Sequence, residues 1–287
     1  MSSEAPRASF AGGGGRSADQ AVPPLALTDT HCHLDMLKLD VERALSEAAT
    51  AGVRTVLTVG IDGPSSRQAV ALAERFPDVY AVVGLHPHEA STYDAALASE
   101  FERLAGGAKV VAIGECGLDY YRDASPRDDQ RRAFVAQMDL ARRLSLPLVV
   151  HTREASADTF RLLDEFGGDL RVVMHCFSAP EWVEECNRRG YFVSFAGNLT
   201  FKNAASLREA ALQVRAELLL VETDAPFLAP VPHRGKDNVP AWVTLTAALL
   251  GDLRGWDRST VAALTSANAR RAFALPDPER VTEAARP

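Results

Sequence analysis

Short apolar stretches alternate with longer amphipathic segments along most of this chain. Eight stretches have the composition of β-strands, at residues 25–30, 53–60, 79–85, 109–115, 146–151, 171–176, 191–195 and 218–223. Segments with helical periodicity lie between them, for example at residues 40–51, 64–76, 127–144 and 155–166. This alternation predicts βα units that assemble a parallel sheet.

The number and spacing of these units favour a closed barrel. Gly52 follows the first helical segment and Pro64 begins the second, as expected at helix ends. Eight strand and helix pairs in about 250 residues match the size of a (β/α)₈ TIM barrel. The alternative is an open, doubly wound sheet, which would carry a glycine-rich turn after its first strand. This chain has the segment 30–33, Thr-His-Cys-His, at that place.

The barrel is expected to occupy residues 25–275 as one α/β domain of the metal-dependent hydrolase type. The chain has 287 residues, of which 47% are hydrophobic, so it can bury one large core. Residues 1–24 are rich in glycine, serine and alanine and lack an apolar run after a basic start, so we interpret them as a disordered extension and not as a signal peptide. Residues 276–287 are expected to form a flexible tail.

Charge and cysteine content exclude several classes of protein. The net charge of -7 provides no general attraction for polyanions, so any nucleic acid must be held by a local site. Cys32, Cys116, Cys176 and Cys186 are too widely spaced for a zinc finger or a small disulfide framework. No stretch approaches the ~18 apolar residues that a membrane helix needs. These features predict a soluble, cytoplasmic protein without a membrane or an obligate protein partner.

Potential metal ligands lie at the ends of five predicted strands. They are His31, His33, Glu115, His151, His175 and Asp224. The carboxyl ends of all strands in a parallel barrel share one rim, so these six side chains are expected to converge. A single histidine at a strand end is usually a hydrogen-bonded structural residue. Their joint placement predicts a metal site.

The ligand types suit two divalent cations. Imidazoles and carboxylates bind zinc, and Mg²⁺ and Mn²⁺ prefer the carboxylate oxygens, so Mg²⁺, Mn²⁺ and Zn²⁺ are all candidates. His31 and His33 are two residues apart and project to one face of a strand. A carboxylate between two ligand sets can bridge ions ~3.5 to 4 Å apart. Glu115 is the natural bridge.

Three further residues are candidates for supporting the ligands. His86 and His88 follow the third strand, where they could orient a ligand or contact substrate, or simply lie in a solvated loop. Glu222 lies two residues before Asp224 and shares its face. We expect Glu222 to support a ligand, with an ion pair in the barrel core as the alternative.

Three basic residues are candidates for contact with substrate. Arg153 follows His151 by two residues, and a guanidinium at that rim would match a phosphate bidentately. A purely structural role for Arg153 at the start of the next helix is disfavoured, because a helix N-terminus repels cations. Lys202 and Arg234 are weaker candidates, for which ordinary solvated charge is an equal alternative.

Cysteines and aromatic residues near the predicted ligands are expected to pack in the core. Cys32, Cys116 and Cys176 alternate with ligands, so we expect small buried hydrophobes and not nucleophiles. The aromatic residues Phe177, Trp182, Phe195, Phe201 and Phe227 are also expected to be core residues and not platforms for nucleic-acid bases.

Six segments in order resemble the TatD-type metal-dependent deoxyribonucleases, which belong to the amidohydrolase-like barrels. The segments are 29–35 (DTHCHLD), 84–88 (GLHPH), 113–122 (IGECGLDYYR), 147–155 (PLVVHTREA), 175–178 (HCFS) and 222–228 (ETDAPFL). The resemblance covers residues 27–273 and implies a dinuclear site. In that site His31, His33 and Asp224 hold one ion, His151 and His175 hold the other, and Glu115 bridges them. It also implies removal of nucleotides from DNA ends, as by a 3'-5' exonuclease.

Asp224 and Glu115 are the predicted catalytic residues of such a hydrolase. Asp224 would accept the proton of the attacking water, and Arg153 would stabilise charge on the phosphoryl oxygens. Single-stranded DNA ends are the expected substrate. The alternatives are an amide or ester hydrolase, such as a D-aminoacyl-tRNA deacylase or a lactonase, and a metal-binding scaffold without turnover. Arg153 favours a phosphate substrate.

Overall fold

The computed structural model describes residues 26–276 and folds them into a (β/α)₈ barrel, as the sequence predicts. In this part of the chain eight parallel strands pair in chain order, β1 with β2 through to β7 with β8. They are Leu27–Cys32 (β1), Val53–Val59 (β2), Val79–Val83 (β3), Val110–Asp119 (β4), Leu148–Arg153 (β5), Val172–Met174 (β6), Phe192–Phe195 (β7) and Leu219–Val221 (β8). The expected extension at 1–24 and the tail at 276–287 lie outside the described residues, apart from Pro276.

Backbone hydrogen bonds between the first strand and the segment after the last strand close the barrel. The Asp224 N–H donates to the carbonyl of His31 at 2.9 Å, and the His33 N–H donates to the carbonyl of Ala225 at 2.7 Å. Cys32 and Ala225 form a parallel bridge at the same place. An open sheet has no such contact between its edges, so this alternative is excluded.

Helices cover the outside of the barrel. Within residues 26–276 they are Val41–Thr50 (α1), Gly63–Arg75 (α2), Ala95–Ala105 (α3), Arg127–Leu144 (α4), Ser156–Leu162 (α5), Val183–Arg189 (α6), Ala205–Gln213 (α7), Val243–Arg254 (α8) and Arg258–Phe273 (α9). Asp40, Asp62, Asp94 and Asp257 each precede a helix and accept a hydrogen bond from a backbone N–H of its first turn. These caps satisfy donors that would otherwise lack a partner.

The strands are buried on both faces, which explains their nearly continuous apolar sequence. All six residues of β1 and all ten of β4 are buried. β4 runs four residues beyond its predicted end at Glu115, and β5 runs two beyond His151. The longer strands carry Asp119 and Arg153 to the carboxyl end of the barrel.

Irregular pairing surrounds the residues predicted to bind metal. The register shifts between Asp29 and Cys32 in β1 and between Ile113 and Cys116 in β4. Such bulges redirect side chains relative to a regular strand. Gly117, with φ of 142°, approaches β5 so closely that a Cβ would lie 2.0 Å from the carbonyl oxygen of His151. Only glycine fits there.

No helix within residues 26–276 combines the length and the apolar composition required to cross a membrane.

Candidate metal centre

The structure brings all six predicted ligands together at the carboxyl end of the barrel. A cavity of about 590 Å³ opens there, and it is lined by His33, Glu115, His151, His175 and Asp224, among others. His31 lies beneath it with only 1% of its surface exposed. A recessed, mostly pre-formed cavity with converging polar groups is the usual form of an active site.

The two carboxylate oxygens of Glu115 face two different groups of histidines. Oε2 lies 3.3 Å from His31 Nε2 and 3.9 Å from His33 Nε2. Oε1 lies 2.8 Å from His151 Nδ1 and 3.2 Å from His175 Nε2. Glu115 is 3% exposed, so it stands between the two groups and away from solvent. This is the arrangement that a carboxylate bridging two cations requires.

The first group consists of His31, His33 and Asp224, whose donor atoms lie within 4.8 Å of one another. His33 Nδ1 lies 2.9 Å from the carbonyl oxygen of Val59, to which it donates a hydrogen bond as the N–H tautomer. Its Nε2 faces the carboxylates and lies 3.5 Å from Asp224 Oδ1. A backbone bond that fixes one ring nitrogen and presents the other is typical of metal-binding histidines.

The second group is oriented in the same way by carboxylates. His175 Nδ1 lies 2.8 Å from Glu222 Oε1, and Glu222 is fully buried. His151 Nε2 lies 3.3 Å from Asp119 Oδ2. The remaining nitrogens, His175 Nε2 and His151 Nδ1, both face Glu115. Glu222 thus lies against His175, and its role in support of a ligand stays a prediction.

The electrostatics of the centre favour added positive charge. Burial raises the pKa of Glu115, but the neighbouring His175 and His86 imidazoles lower it more, and the net pKa lies well below the ordinary value. Burial lowers the pKa of His175, yet Glu222 and Glu115 raise it well above the ordinary value. The Glu115 carboxylate thus remains anionic and attracts cationic partners.

The charge and the contacts of His31 show that the residues fit a metal ion. Burial lowers its pKa, and the charge of His175, stacked at a ring separation of 3.6 Å, lowers it further. The imidazole is therefore neutral. Among the described residues, neither of its two buried ring nitrogens has a hydrogen-bond partner. A buried nitrogen without a partner, directed at the carboxylates of Glu115 and Asp224, suits a divalent cation.

His86 and His88 lie within the same network and are not solvated loop residues. His86 is 8% exposed, and its Nε2 lies 3.5 Å from Glu115 Oε1. His86, Glu115 and His151 also form a group whose donor atoms lie within 4.8 Å of one another. His88 Nε2 lies 2.9 Å from Asp119 Oδ2, so both His88 and His151 contact this buried carboxylate.

Asp119 is a site residue that the sequence analysis missed. Its Oδ1 accepts hydrogen bonds from the backbone N–H groups of Tyr121 and Arg122, at 3.0 and 2.8 Å. The signal was its position four residues after Glu115, since positions two apart in a strand share a face. Ending the fourth strand at Glu115 concealed this relation.

The basic residues divide into two sets. Arg153 and Arg122 line the cavity, and the Arg153 guanidinium stacks 3.8 Å from the ring centroid of Tyr121. The structure does not place Lys202 or Arg234 on the cavity wall. Arg234 stacks on the ring of Phe201 at 3.7 Å, and Lys202 is exposed. Since neither residue lines the cavity, a substrate contact by Lys202 or Arg234 stays a prediction.

Two residues expected to be packed in the core line the cavity instead. Cys176 is only partly buried and lines the cavity, and its backbone adopts a φ of 44°. Phe227 is 52% exposed. The other cysteines and aromatic residues expected in the core do pack there. Those that are buried are Cys32, Cys116, Phe177 and Phe195, and Trp182 and Phe201 are partly buried against the core.

A family profile and individual relatives of known sequence all assign the chain to the same family. The profile of the TatD-related DNase family matches residues 28–274. The metal-dependent hydrolase YabD of Bacillus subtilis is 36% identical over 253 residues, which cover 87% of this chain and 99% of YabD. A protein of Pectobacterium parmentieri named 3'-5' ssDNA/RNA exonuclease TatD is 36% identical over 244 residues, 82% of this chain and 94% of the relative.

A solved structure agrees with these relatives. The crystal structure of the TatD homologue YjjV from Escherichia coli superimposes with a TM-score of 0.82 at 29% identity, and the match covers 87% of this chain and 98% of YjjV. The profile and the curated relatives span nearly the whole barrel. The chain therefore belongs to the TatD-related DNase family of metal-dependent hydrolases.

Proposed function

We propose that this protein hydrolyses phosphodiester bonds at the ends of nucleic-acid chains with two divalent cations. The observation that carries the proposal is the position of Glu115, whose two oxygens face two separate histidine groups. In this proposal one ion is held by His31, His33 and Asp224, and the other by His151 and His175. Glu115 bridges them.

The chain's own residues would have different roles in the reaction. When bound, divalent ions supply a nucleophilic water at neutral pH and a positive charge for the phosphoryl oxygens. Asp224 has one oxygen directed at His33 and a side chain that is 14% exposed to the cavity, so its other oxygen can accept a proton from the attacking water. Glu222 and Asp119 hold His175 and His151 in one orientation.

The phosphate group would be bound on the side of the cavity formed by β4 and β5. Arg122 and Arg153 lie there, and the stacking of Arg153 on Tyr121 limits its rotamers. A guanidinium fixed in this way binds two phosphate oxygens with a smaller loss of conformational freedom. This feature favours a phosphodiester over the lactone or amide alternatives, as does the nuclease name of the Pectobacterium parmentieri relative.

A substrate panel tests the proposal. Metal-stripped protein is supplied with Mg²⁺, Mn²⁺ or Zn²⁺, or with chelator, and incubated with end-labelled single-stranded DNA, single-stranded RNA, a D-aminoacyl-tRNA and a lactone. We expect mononucleotide release that requires metal and is abolished by chelator. Turnover of the aminoacyl-tRNA or the lactone without mononucleotide release would contradict the proposal. Metal binding with no turnover of any substrate would indicate a scaffold.

Glu222→Gln is expected to weaken binding of the ion near His175. The Glu222 carboxylate Oε1 lies 2.8 Å from His175 Nδ1, and an amide in its place can present its NH₂ group and turn the ring. Loss of such a supporting partner typically weakens metal affinity about 10- to 100-fold. Isothermal titration with Zn²⁺ measures this affinity. Glu217→Gln, at an exposed carboxylate paired with Arg215, is the matched control and should bind metal as the parent does. Equal affinity in both variants would exclude a supporting role for Glu222.

A further inference from the structure

Phe227 presents an aromatic ring to the cavity in place of packing in the core. Its surface is 52% exposed, although a phenylalanine normally gains free energy from burial. The ring lies on the cavity wall, with its centroid 6.0 Å from that of His33. An exposed aromatic ring beside a candidate metal ligand is a surface on which a flat group of a ligand can rest.

Hydrogen bonds fix the backbone that carries Phe227. The Phe227 N–H donates to the carbonyl of Asp224 at 2.8 Å. Its own carbonyl accepts from Asn238 Nδ2 at 2.8 Å, and the same amide also donates to the carbonyl of Thr223. Asn238 is fully buried. Asp224 and Phe227 therefore keep a constant spacing, which a stacking contact near the reaction centre requires.

The apolar and basic residues of the cavity lie on different sides. Met36, Phe227 and Leu228 line it near β1 and β8. Arg122 and Arg153 line it at the ends of β4 and β5, which lie across the barrel because the strands follow one another in chain order. A ligand with one flat apolar part and one anionic part, a nucleotide unit, complements this division.

We propose that Phe227 is the stacking platform for one unpaired base at the end of a single-stranded nucleic acid. This inference rests on the proposed function. The base would lie on the Phe227 ring while the adjacent phosphate reaches Arg122 and Arg153 across the metal centre. Stacking accepts every base, because each has a π-face, so the contact gives affinity without sequence preference. A cavity of about 590 Å³ has the size of a site for one small ligand, so it would admit a single strand end and not two paired strands.

Two substitutions distinguish a stacking role of Phe227 from a role in which its side chain only covers His33. Phe227→Leu keeps an apolar side chain but removes the π-face, and Phe227→Tyr keeps the ring. We expect KM for a single-stranded oligonucleotide to rise roughly tenfold in Phe227→Leu, which lies within the range for one stacked base, and to stay near the parental value in Phe227→Tyr. The control is Phe166→Leu, at a 36% exposed phenylalanine that does not line the cavity, and it should not change KM.

An altered substrate tests the same contact without changing the protein. Oligonucleotides with one abasic position, placed in turn at each of the last three nucleotides, are given to the parent and to Phe227→Leu. At the stacked position we expect the parent to lose about as much affinity as the substitution causes, and the variant to lose no more. This lack of additivity identifies a direct contact. A 2-aminopurine at that position should be quenched on binding to the parent but not to Phe227→Leu.

The outcomes distinguish this inference from the function on which it rests. If the parent releases no nucleotides with metal, the proposed function fails. If it releases them and Phe227→Leu has the parental KM, or if Phe227→Leu and the abasic substitutions are additive at all three positions, the stacking role is wrong. Equal increases of KM in Phe227→Leu and Phe227→Tyr would also contradict it. Should Phe227→Leu fold poorly, the abasic series and the quenching in the parent still decide the question.

Discussion

Asp224→Asn is expected to lower kcat by about 10² to 10⁴-fold, the range for loss of a positioned proton acceptor. The asparagine side chain has nearly the same shape as aspartate and keeps one oxygen that can bind the ion near His33. In the parent, Asp224 Oδ1 lies 3.5 Å from His33 Nε2. The amide cannot accept a proton from the attacking water. Single-turnover hydrolysis of an end-labelled oligonucleotide measures the chemical step, and metal content after dialysis shows whether the ion remains bound.

The backbone at Asp224 makes this substitution a clean test. The Asp224 N–H donates to the carbonyl of His31, and φ is 56°, a region that asparagine tolerates better than other non-glycine residues. The barrel closure at this position should therefore persist in the variant, and its thermal unfolding should match the parent's. A parental rate with normal metal content would exclude Asp224 as the proton acceptor. A lost rate together with lost metal would leave it as a ligand only, and would also contradict the assigned role.

The sequence predicts the barrel well because strand ends and their polar residues are adjacent in the chain. His151 closes one apolar run and Asp224 follows another, so parallel packing alone brings them to one rim. The eight apolar runs also predict eight βα units, and the structure has eight strands within residues 26–276.

Other features depend on contacts between distant parts of the chain, which periodicity does not reveal. The pairing of His88 with Asp119 joins the segment after β3 to the end of β4, and it needs the extra length of β4 that the apolar pattern does not mark. Phe227 is exposed, and buried Asn238, from another part of the following loop, holds its backbone. Arg234 carries the charge expected of a substrate contact, but stacking on Phe201 holds it elsewhere. Composition cannot distinguish it from Arg153.

The positions of the histidine rings also required the structure. His31 and His175 are 144 residues apart in sequence, and their rings stack at 3.6 Å. Two protonated imidazoles at that separation would repel each other, and His31 has a lowered pKa for this reason as well as for its burial. The neutral ring is then available to bind a cation. The ligand types can be read from the chain, but the protonation state that makes His31 a ligand follows from packing.

Glu115→Gln is expected to abolish binding of the second ion and to lower kcat by more than about 10³-fold, since it removes charge stabilisation at both ions. Gln retains one carbonyl oxygen, so it can face either His31 or the pair His151 and His175, but not both. Its NH₂ group would be directed at a cation. Metal content after equilibrium dialysis should fall from two ions per chain to one or fewer, and oligonucleotide hydrolysis should fall with it.

The matched control for Glu115→Gln is Glu100→Gln, at a carboxylate that pairs with Arg67 on the outside of the barrel. This change also removes one negative charge, but an exposed ion pair contributes little to stability and lies away from the cavity, so metal content and kcat should remain parental. The number of ions bound by Glu115→Gln then decides whether Glu115 bridges two ions. Two ions retained at parental affinity would mean that Glu115 does not bridge them, because a bridge contributes an oxygen to each ion and a glutamine has only one.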